Sequence, residues 1–365
     1  MSTSNLFEPL KIGAVEARNR VLLAPLTRMR AGPGNVPGPI NATYYRQRAS
    51  AGLIVAEATQ VVPEGQGYPN TPGIHSPQQI EGWRKVTDAV HEAGGLIFLQ
   101  LWHVGRVSHS SFQPGRALPV SASAVRIEGR LLTANGPAEY ETPRPLEQKE
   151  LAGIVDGYRR GAENARAAGF DGVEVHGANG YLLEQFLDDQ TNHRTDAWGG
   201  SIVNRARLLV ETMRAMCDTW SADRVGVRLS PWGTANDSGD SDPLKLHAHV
   251  IGRLAPLGLA YLHLIEPRAG GAGRGEALRE DVPSASATFR ELWPGVLVAA
   301  GGYTADSAEA AIASGTVDAV AFGRWFISNP DLPARFRRGA ELTPYNRKTF
   351  YGGAEAGYTD YPAMA

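Results

Sequence analysis

The sequence predicts a (β/α)8 TIM barrel built as one domain over residues 1–365. Three observations predict it. Eight short, largely apolar runs recur down the chain, and longer segments of helical periodicity separate them. Several of those segments open on recognisable helix caps. The residue types able to do chemistry cluster just past the ends of the apolar runs, which is where barrel enzymes keep their sites.

An N-terminal β-hairpin is expected over residues 6–20, before the first barrel strand. The apolar runs are residues 21–26, 53–58, 96–101, 173–175, 225–229, 261–265, 296–300 and 319–322. Each is β-branched or Leu-rich and apolar on both faces, as a parallel strand covered inside and outside requires. Among the helix starts, Ser76-Pro77 followed by Gln79 supplies an N-cap, a proline at the first helical position and a capping-box partner. Ser241 before Asp242-Pro243, Thr304 before Ala305-Asp306, and Asn329 before Pro330-Asp331 repeat that grammar. An open doubly wound sheet of this size would have fewer units and a nucleotide fingerprint. Two connections are too long for plain loops: a Ser-, Pro- and Gly-rich capping insertion at 104–146, after strand 3, and the segment 188–202. Both are expected to cap the mouth and shape the pocket.

Composition narrows the partners. A formal net charge of -2 and a pI near 6.5 leave no basic stripe for nucleic acid or for an acidic membrane surface. A small-molecule ligand is the expectation. Cys217 is the only cysteine and reads as a helix core residue, so thiolate clusters and internal disulfides are excluded. No signal sequence and no run of about 18 apolar residues is seen. A cytoplasmic protein is the expectation from these, and a monomer or homodimer is expected without any sequence feature to choose between them.

The chemistry centres on residues 173–187, VEVHGANGYLLEQFL. His176, Asn179 and Tyr181 fall within six residues where the fourth strand ends, a donor-rich group able to hold a substrate oxygen and deliver a proton. Other strand ends add Pro25, Leu26 and Thr27, Ala58, Gln100 and Arg228. Any one of these could simply satisfy local backbone. From five strands of one barrel they converge on one pocket. After the seventh run comes Ala300-Gly301-Gly302, and after the eighth Gly323-Arg324. Glycines leading into helix N-termini expose backbone N–H groups, and Arg324 adds a bidentate cation, so a phosphate-bearing ligand is implied. The alternative for each glycine pair is a tight strand-to-helix turn.

HGANGYLLEQFL and the RTDAWGGSIVNR after it, with APLTRMR, EATQ, LQLWHVGR and AFGRWFISNPDLP in the same order along the chain, resemble the Old Yellow Enzyme family of FMN-dependent ene reductases. The resemblance implies an FMN-bearing barrel, reduced by NAD(P)H with NADPH favoured over NADH, and reoxidised by an electrophilic alkene. It places Thr27 by the flavin carbonyl near N5, and Pro25, Leu26 and Ala58 along the ring. Gln100 and Arg228 fall at its pyrimidine edge, and Ala300, Gly301, Gly302, Gly323 and Arg324 at its phosphate. His176 and Asn179 would then hold the substrate oxygen and Tyr181 would protonate the α-carbon. Tyr68 and Tyr351 match substrate-contacting aromatics.

The family uses either asparagine or a second histidine where Asn179 stands; since an amide does not titrate, pH-dependent binding is expected from His176 alone. Ping-pong turnover is expected because NAD(P)H must enter the substrate's pocket. The glycine-rich stretch 268–281 departs from relatives and leaves one pocket wall undefined. A Schiff-base aldolase lacks its strand-end lysine, and a metal hydrolase its His and Asp cluster. Reduction of nitrate esters or nitro compounds at the same site is the alternative activity. A non-catalytic flavin-binding protein is a remoter one, giving His176, Asn179 and Tyr181 no purpose.

Overall fold

A computed structural model of the chain describes residues 5–267 and 281–364; the glycine-rich stretch singled out above lies outside them except for Asp281. The chain opens with an antiparallel hairpin, β1 (Leu10–Ile12) and β2 (Val15–Ala17). Strands β3 (Val21–Leu23), β4 (Ile54–Gln60) and β5 (Ile97–Trp102) follow. The insertion then contributes two small pairs, β6 (Val120–Ser121) with β9 (Arg144–Pro145), and β7 (Arg130–Thr133) with β8 (Gly136–Glu139). The remaining strands are β10 (Gly172–Gly177), β11 (Val225–Leu229), β12 (Tyr261–Ile265), β13 (Leu297–Ala300) and β14 (Ala319–Phe322). The eight strands β3, β4, β5 and β10 to β14 pair in chain order, all parallel, and β14 closes on β3. All eight predicted runs are these strands.

Around and between them run α1 (Pro39–Gln47), α2 (Pro77–Glu92), α3 (Gln148–Ala167), α4 (Leu182–Leu187), α5 (Ile202–Arg205), α6 (Arg207–Trp220), α7 (Pro243–Leu254), α8 (Ala285–Phe289), α9 (Ala305–Ala313), α10 (Arg324–Ser328) and α11 (Leu332–Arg338). Ser76 caps α2 as expected: its Oγ accepts the Gln79 N–H at 3.2 Å and Gln79 Oε1 accepts the Ser76 N–H at 3.1 Å. Thr304 caps α9 by accepting the Ser307 N–H at 3.2 Å. Two starts differ from expectation. Asp242, not Ser241, caps α7, its carboxylate accepting the Lys245 N–H at 3.1 Å, where a negative charge suits a helix N-terminus. Helix α11 begins at Leu332, because the buried Asn329 amide is committed instead to Trp325 and Thr343. Cys217, on α6, is half-buried rather than fully in the core, and burial raises its thiol to about 11.

Two apolar layers hold the barrel. Outward strand side chains such as Val55-flanking Ile54 and Ala56, Leu99 and Val173 pack with Trp83, Val86, Tyr158 and Leu209 of the surrounding helices. Inside, Leu22, Phe98, Tyr261 and Val298 join Ile12, Val15 and Ala17 of the hairpin, which plugs the N-terminal end. Gly13 makes that plug fit. Its φ is 55°, and a Cβ there would stand 2.0 Å from the Asp223 carbonyl oxygen, which the neighbouring Ala14 N–H reaches at 2.9 Å.

One irregularity serves the other end. The β4–β5 register shifts between Ala56 and Thr59, an inserted residue of the β-bulge kind. Around it, Ala58 reaches the barrel mouth, while Glu57 is buried, accepting from the Arg28 N–H at 3.1 Å and the Tyr45 hydroxyl at 3.2 Å.

Candidate active site

At the C-terminal end of the barrel, one cavity of about 370 Å³ gathers Pro25, Leu26, Thr27, Ala58, Gln100, His176, Asn179, Tyr181, Arg228, Ala300, Gly301, Gly302, Gly323, Arg324 and Tyr351. These come from strands far apart in sequence. Their meeting follows from barrel closure, which puts every strand's last residue on one rim.

The His176 wall is built by an abrupt turn. Strand β10 ends at Gly177, and Asn179 (φ 59°) and Gly180 (φ 75°) are both left-handed, so the chain doubles back before α4. Both Asn179 and Tyr181 thereby line the cavity with His176. The His176 ring stacks at 6.2 Å on Trp102 and meets Tyr181 edge-on at 4.9 Å. Burial, then the Arg228 charge, hold its imidazole well below 6.5, so it is neutral through the physiological range. Its Nδ1 is buried with no partner among the described residues, which leaves Nε2 for the mouth. The expectation that His176 governs pH dependence near neutrality is therefore corrected: desolvation beside a fixed cation removes that titration.

Tyr68 does not line the cavity. It lies behind Tyr181, the two hydroxyls 3.1 Å apart, and stacks on Trp102 at 5.9 Å. Burial raises the Tyr181 phenol far above its ordinary range, so it stays protonated. His103 is buried, its Nδ1 accepting the Gly105 N–H at 3.0 Å, and burial lowers it to about 4; it stands outside the cavity.

The polar floor was only half legible. Glu174, on β10 and fully buried, accepts from Gln100 Nε2 at 2.7 Å and pairs with His263 Nδ1 at 2.8 Å. Burial pushes the Glu174 carboxyl up, but His263 and Arg228 outweigh it and the net shift is downward, so Glu174 is charged. With the Gln100 amide nitrogen engaged, its oxygen is left for a ligand. Both Glu174 and His263 had a signal: each is an ionisable residue midway along an otherwise apolar strand, which must be paired to be tolerated.

At the far side Gly301 (φ 122°) and Gly302 (φ 64°) turn β13 toward α9, and Arg324 opens α10 directly after Gly323. The C-terminal segment adds Arg347, Phe350 and Tyr351 to the wall. Two arginines just past β3 hold that segment by its carbonyls: Arg28 donates to Phe350 at 2.9 Å and Gly357 at 2.8 Å, and Arg30 to Ala354 at 3.1 Å and Thr349 at 3.0 Å. Arg347, Phe350, Trp102, Tyr303 and Ile265 are cavity residues the strand-end argument did not single out as ligands, the first two because only long-range contacts bring the tail back.

The two long connections do not line this cavity. Val104, Val107, Ile127, Leu131 and Tyr140 of the insertion form a separate apolar cluster on which Tyr68 and Tyr181 lean. Segment 188–202 is tied to itself and to the insertion instead: Asn192 donates to Phe186 and Trp198 carbonyls, and Arg194 to those of Ala122 and Leu146. Thr191, Asn192 and Arg194 donate to backbone carbonyls, Asp189 accepts from Ser241, and no residue of the segment lines the mouth cavity.

The model of the NADH:flavin oxidoreductase / NADH oxidase family matches residues 5–343. The chain belongs to this family. It is 45% identical to the putative 12-oxophytodienoate reductase 11 of Oryza sativa subsp. japonica, covering 100% of this chain and 98% of that protein. With 12-oxophytodienoate reductase 2 of Arabidopsis thaliana identity is 44%, over 98% of this chain and 96% of the relative. Among solved structures, morphinone reductase in complex with tetrahydroNAD superposes with a TM-score of 0.91 at 47% identity, covering 99% and 98% of the two chains. The old yellow enzyme homologue from Zymomonas mobilis gives 0.94 at 44%, covering 98% and 99%. As an Old Yellow Enzyme the chain is an FMN-dependent ene reductase.

The residues present suit FMN. Arg228 Nε is a buried donor with no partner among the described residues, in a cavity lined also by Gln100, Gly301, Gly302, Gly323 and Arg324. A buried cation, an amide oxygen and a glycine-lined turn with an arginine suit an anionic flavin edge, an imide and a phosphate respectively.

Proposed function

We propose that this ene reductase binds FMN along Pro25, Leu26, Thr27 and Ala58, with Gln100 and Arg228 at the pyrimidine edge. Ala300, Gly301, Gly302, Gly323 and Arg324 take the phosphate. Held there, FMN would supply the hydride chemistry that links NAD(P)H to the β-carbon of an electron-poor alkene.

The chain's own residues do the rest. His176 and Asn179 donate to the carbonyl or nitro oxygen of the substrate, and both are neutral donors, so they stabilise the charge that develops there without forming an ion pair in the ground state. Tyr181 gives its proton to the α-carbon, and an enolate-like carbon is basic enough to take it from a phenol. Tyr68, hydrogen-bonded to Tyr181, orients that hydroxyl. Tyr351, 36% exposed, forms the outer rim where substrate enters. Trp102 closes the ring of aromatics behind His176 and Tyr181, keeping water from the oxygen site.

The observation carrying this reading is that His176, Asn179 and Tyr181 share one cavity with Arg228. NADPH is favoured as reductant on the strength of Arg347, a cation on the same wall as Arg324, suited to an additional phosphate. No helix among the described residues is long and apolar enough to cross a membrane, in keeping with a cytoplasmic setting. An anaerobic absorption titration tests the whole. The flavin band should bleach with NADPH and return with 2-cyclohexenone. A flavin that bleaches but does not return with the enone shifts the activity to nitro compounds or nitrate esters; no flavin after FMN addition removes the reading.

A further inference from the structure

The turn that presents Asn179 rests on a single side chain. Asn179 and Gly180 are consecutive left-handed residues, and two such residues point successive N–H groups into one concavity that suits an anion. Here the anion is internal. The Gly180 N–H donates to Glu184 Oε2, and the Asn179 N–H donates at 2.9 Å to Ser230 Oγ, whose own hydroxyl donates to Glu184 Oε1. Both oxygens of one carboxylate, 2% exposed on α4, are thus committed to the segment between His176 and Tyr181.

We propose that Glu184 is a positioning residue for the substrate-oxygen site: its charged carboxylate holds the Asn179 turn in place, and substrate affinity follows the protonation of that carboxylate. The inference rests on the assignment of Asn179 as a substrate donor.

Three features give it force. A protonated acid must aim an O–H at one of two donors, and the Gly180 N–H cannot rotate away as a hydroxyl can. A second cavity, about 150 Å³, touches Glu184, Ser230, Asp188, Asp240 and His247 and offers a proton a route in. Burial places the event near neutrality. Burial raises Glu184 to about 7 against the hydrogen bonds from Ser230 and Gly180, and burial, Glu184 and Asp240 raise Asp188 as well, so the two titrate as a pair. Asp240 is paired with Arg205. Burial keeps His247 neutral, at about 4, and the Arg106 cation is engaged by carbonyls of Val125, Asn236 and Asp237. His176 and Tyr181 stay neutral through this range, and Glu57, the other carboxyl raised to about 7, is held by Arg28 and Tyr45 on a different strand, so it is the loss of the profile in Glu184→Gln that assigns it to Glu184 with Asp188.

The test uses the FMN-loaded enzyme, reduced and mixed with 2-cyclohexenone in a stopped-flow instrument from about pH 6 to 8.5, with flavin affinity measured alongside. In the wild type the enone Kd should fall as pH rises through about 7, the limiting rate changing less. Glu184→Gln should raise that Kd about tenfold at pH 8, the scale of one lost charged hydrogen bond, and flatten the profile, with FMN affinity unchanged. Asn179→Ala combined with Glu184→Gln should be no worse than Asn179→Ala alone, since the glutamate acts through the asparagine. Additive losses, or an E184Q enzyme with wild-type affinity and profile, overturn the proposal while leaving Asn179 in place. An Asn179→Ala enzyme with unaltered Kd defeats the substrate assignment itself. Should E184Q not fold, Ser230→Ala, which severs only the Asn179 arm, should raise the Kd about threefold, and no change there is equally fatal.

Discussion

The two ends of the barrel are built from the same eight strands and have opposite characters. At the N-terminal end the strands meet Ile12, Val15 and Ala17 of the hairpin in a dry apolar cluster. At the C-terminal end they carry Thr27, Gln100, His176 and Arg228 around an open cavity. Glu174, Gln100 and His263 mark the transition, a buried polar layer between plug and mouth. The difference teaches that stability and chemistry are separable along one strand: close packing at the base allows unpaired donors at the rim.

The largest effect that would sharpen this contrast is Tyr181→Phe. It should slow alkene reduction by roughly 10²–10⁴-fold, the span of a lost general acid, while flavin reduction by NAD(P)H persists and the melting temperature hardly moves. Equal loss in both half-reactions would remove Tyr181 from the proton-donor role. At the opposite end, Gly13→Ala forces a Cβ against the Asp223 carbonyl at a positive φ, and should cost about 2–4 kcal/mol in denaturant unfolding with kcat unaffected. A mutation there that changed substrate kinetics as much as stability would break the separation.

A smaller effect lies in the pH dependence of stability. Burial raises the Glu57 carboxyl to about 7, above its unfolded value of 4.5. Between these values the folded protein holds a proton the unfolded chain has lost. The sign is therefore a stability that declines as pH climbs from about 4.5 to 7, by up to roughly 3 kcal/mol from this group. Calorimetry of Glu57→Gln should show a shallower decline, and an unchanged slope would contradict it. Smallest is Tyr68→Phe. With the Tyr181 hydroxyl still in place but less well oriented, alkene reduction should drop by less than about tenfold, and a loss as large as that of Tyr181→Phe would make Tyr68 the donor.

The fold was legible because its signals are local and repeated. Runs such as 225–229 and 261–265 need only be apolar on both faces to be read as covered parallel strands, and the Ser76 and Thr304 caps act within four residues. Where the reading slipped, a distant partner had intervened. Asn329 was drawn from helix capping by Thr343, and segment 188–202 from the mouth by carbonyls of the insertion. The inference about His176 failed on the same ground, since its neutral state depends on burial and on Arg228, 52 positions away in the chain but adjacent in the barrel.

By itself, then, the sequence determined the order and kind of the elements and the residue types at their ends, because hydrophobic period and capping chemistry act over a few residues. Only the tertiary structure decided which of those residues are charged, which hydrogen bonds they have left to offer, and that Glu184 stands behind Asn179. Those properties depend on desolvation and on partners brought together by barrel closure, and neither is written into neighbouring positions.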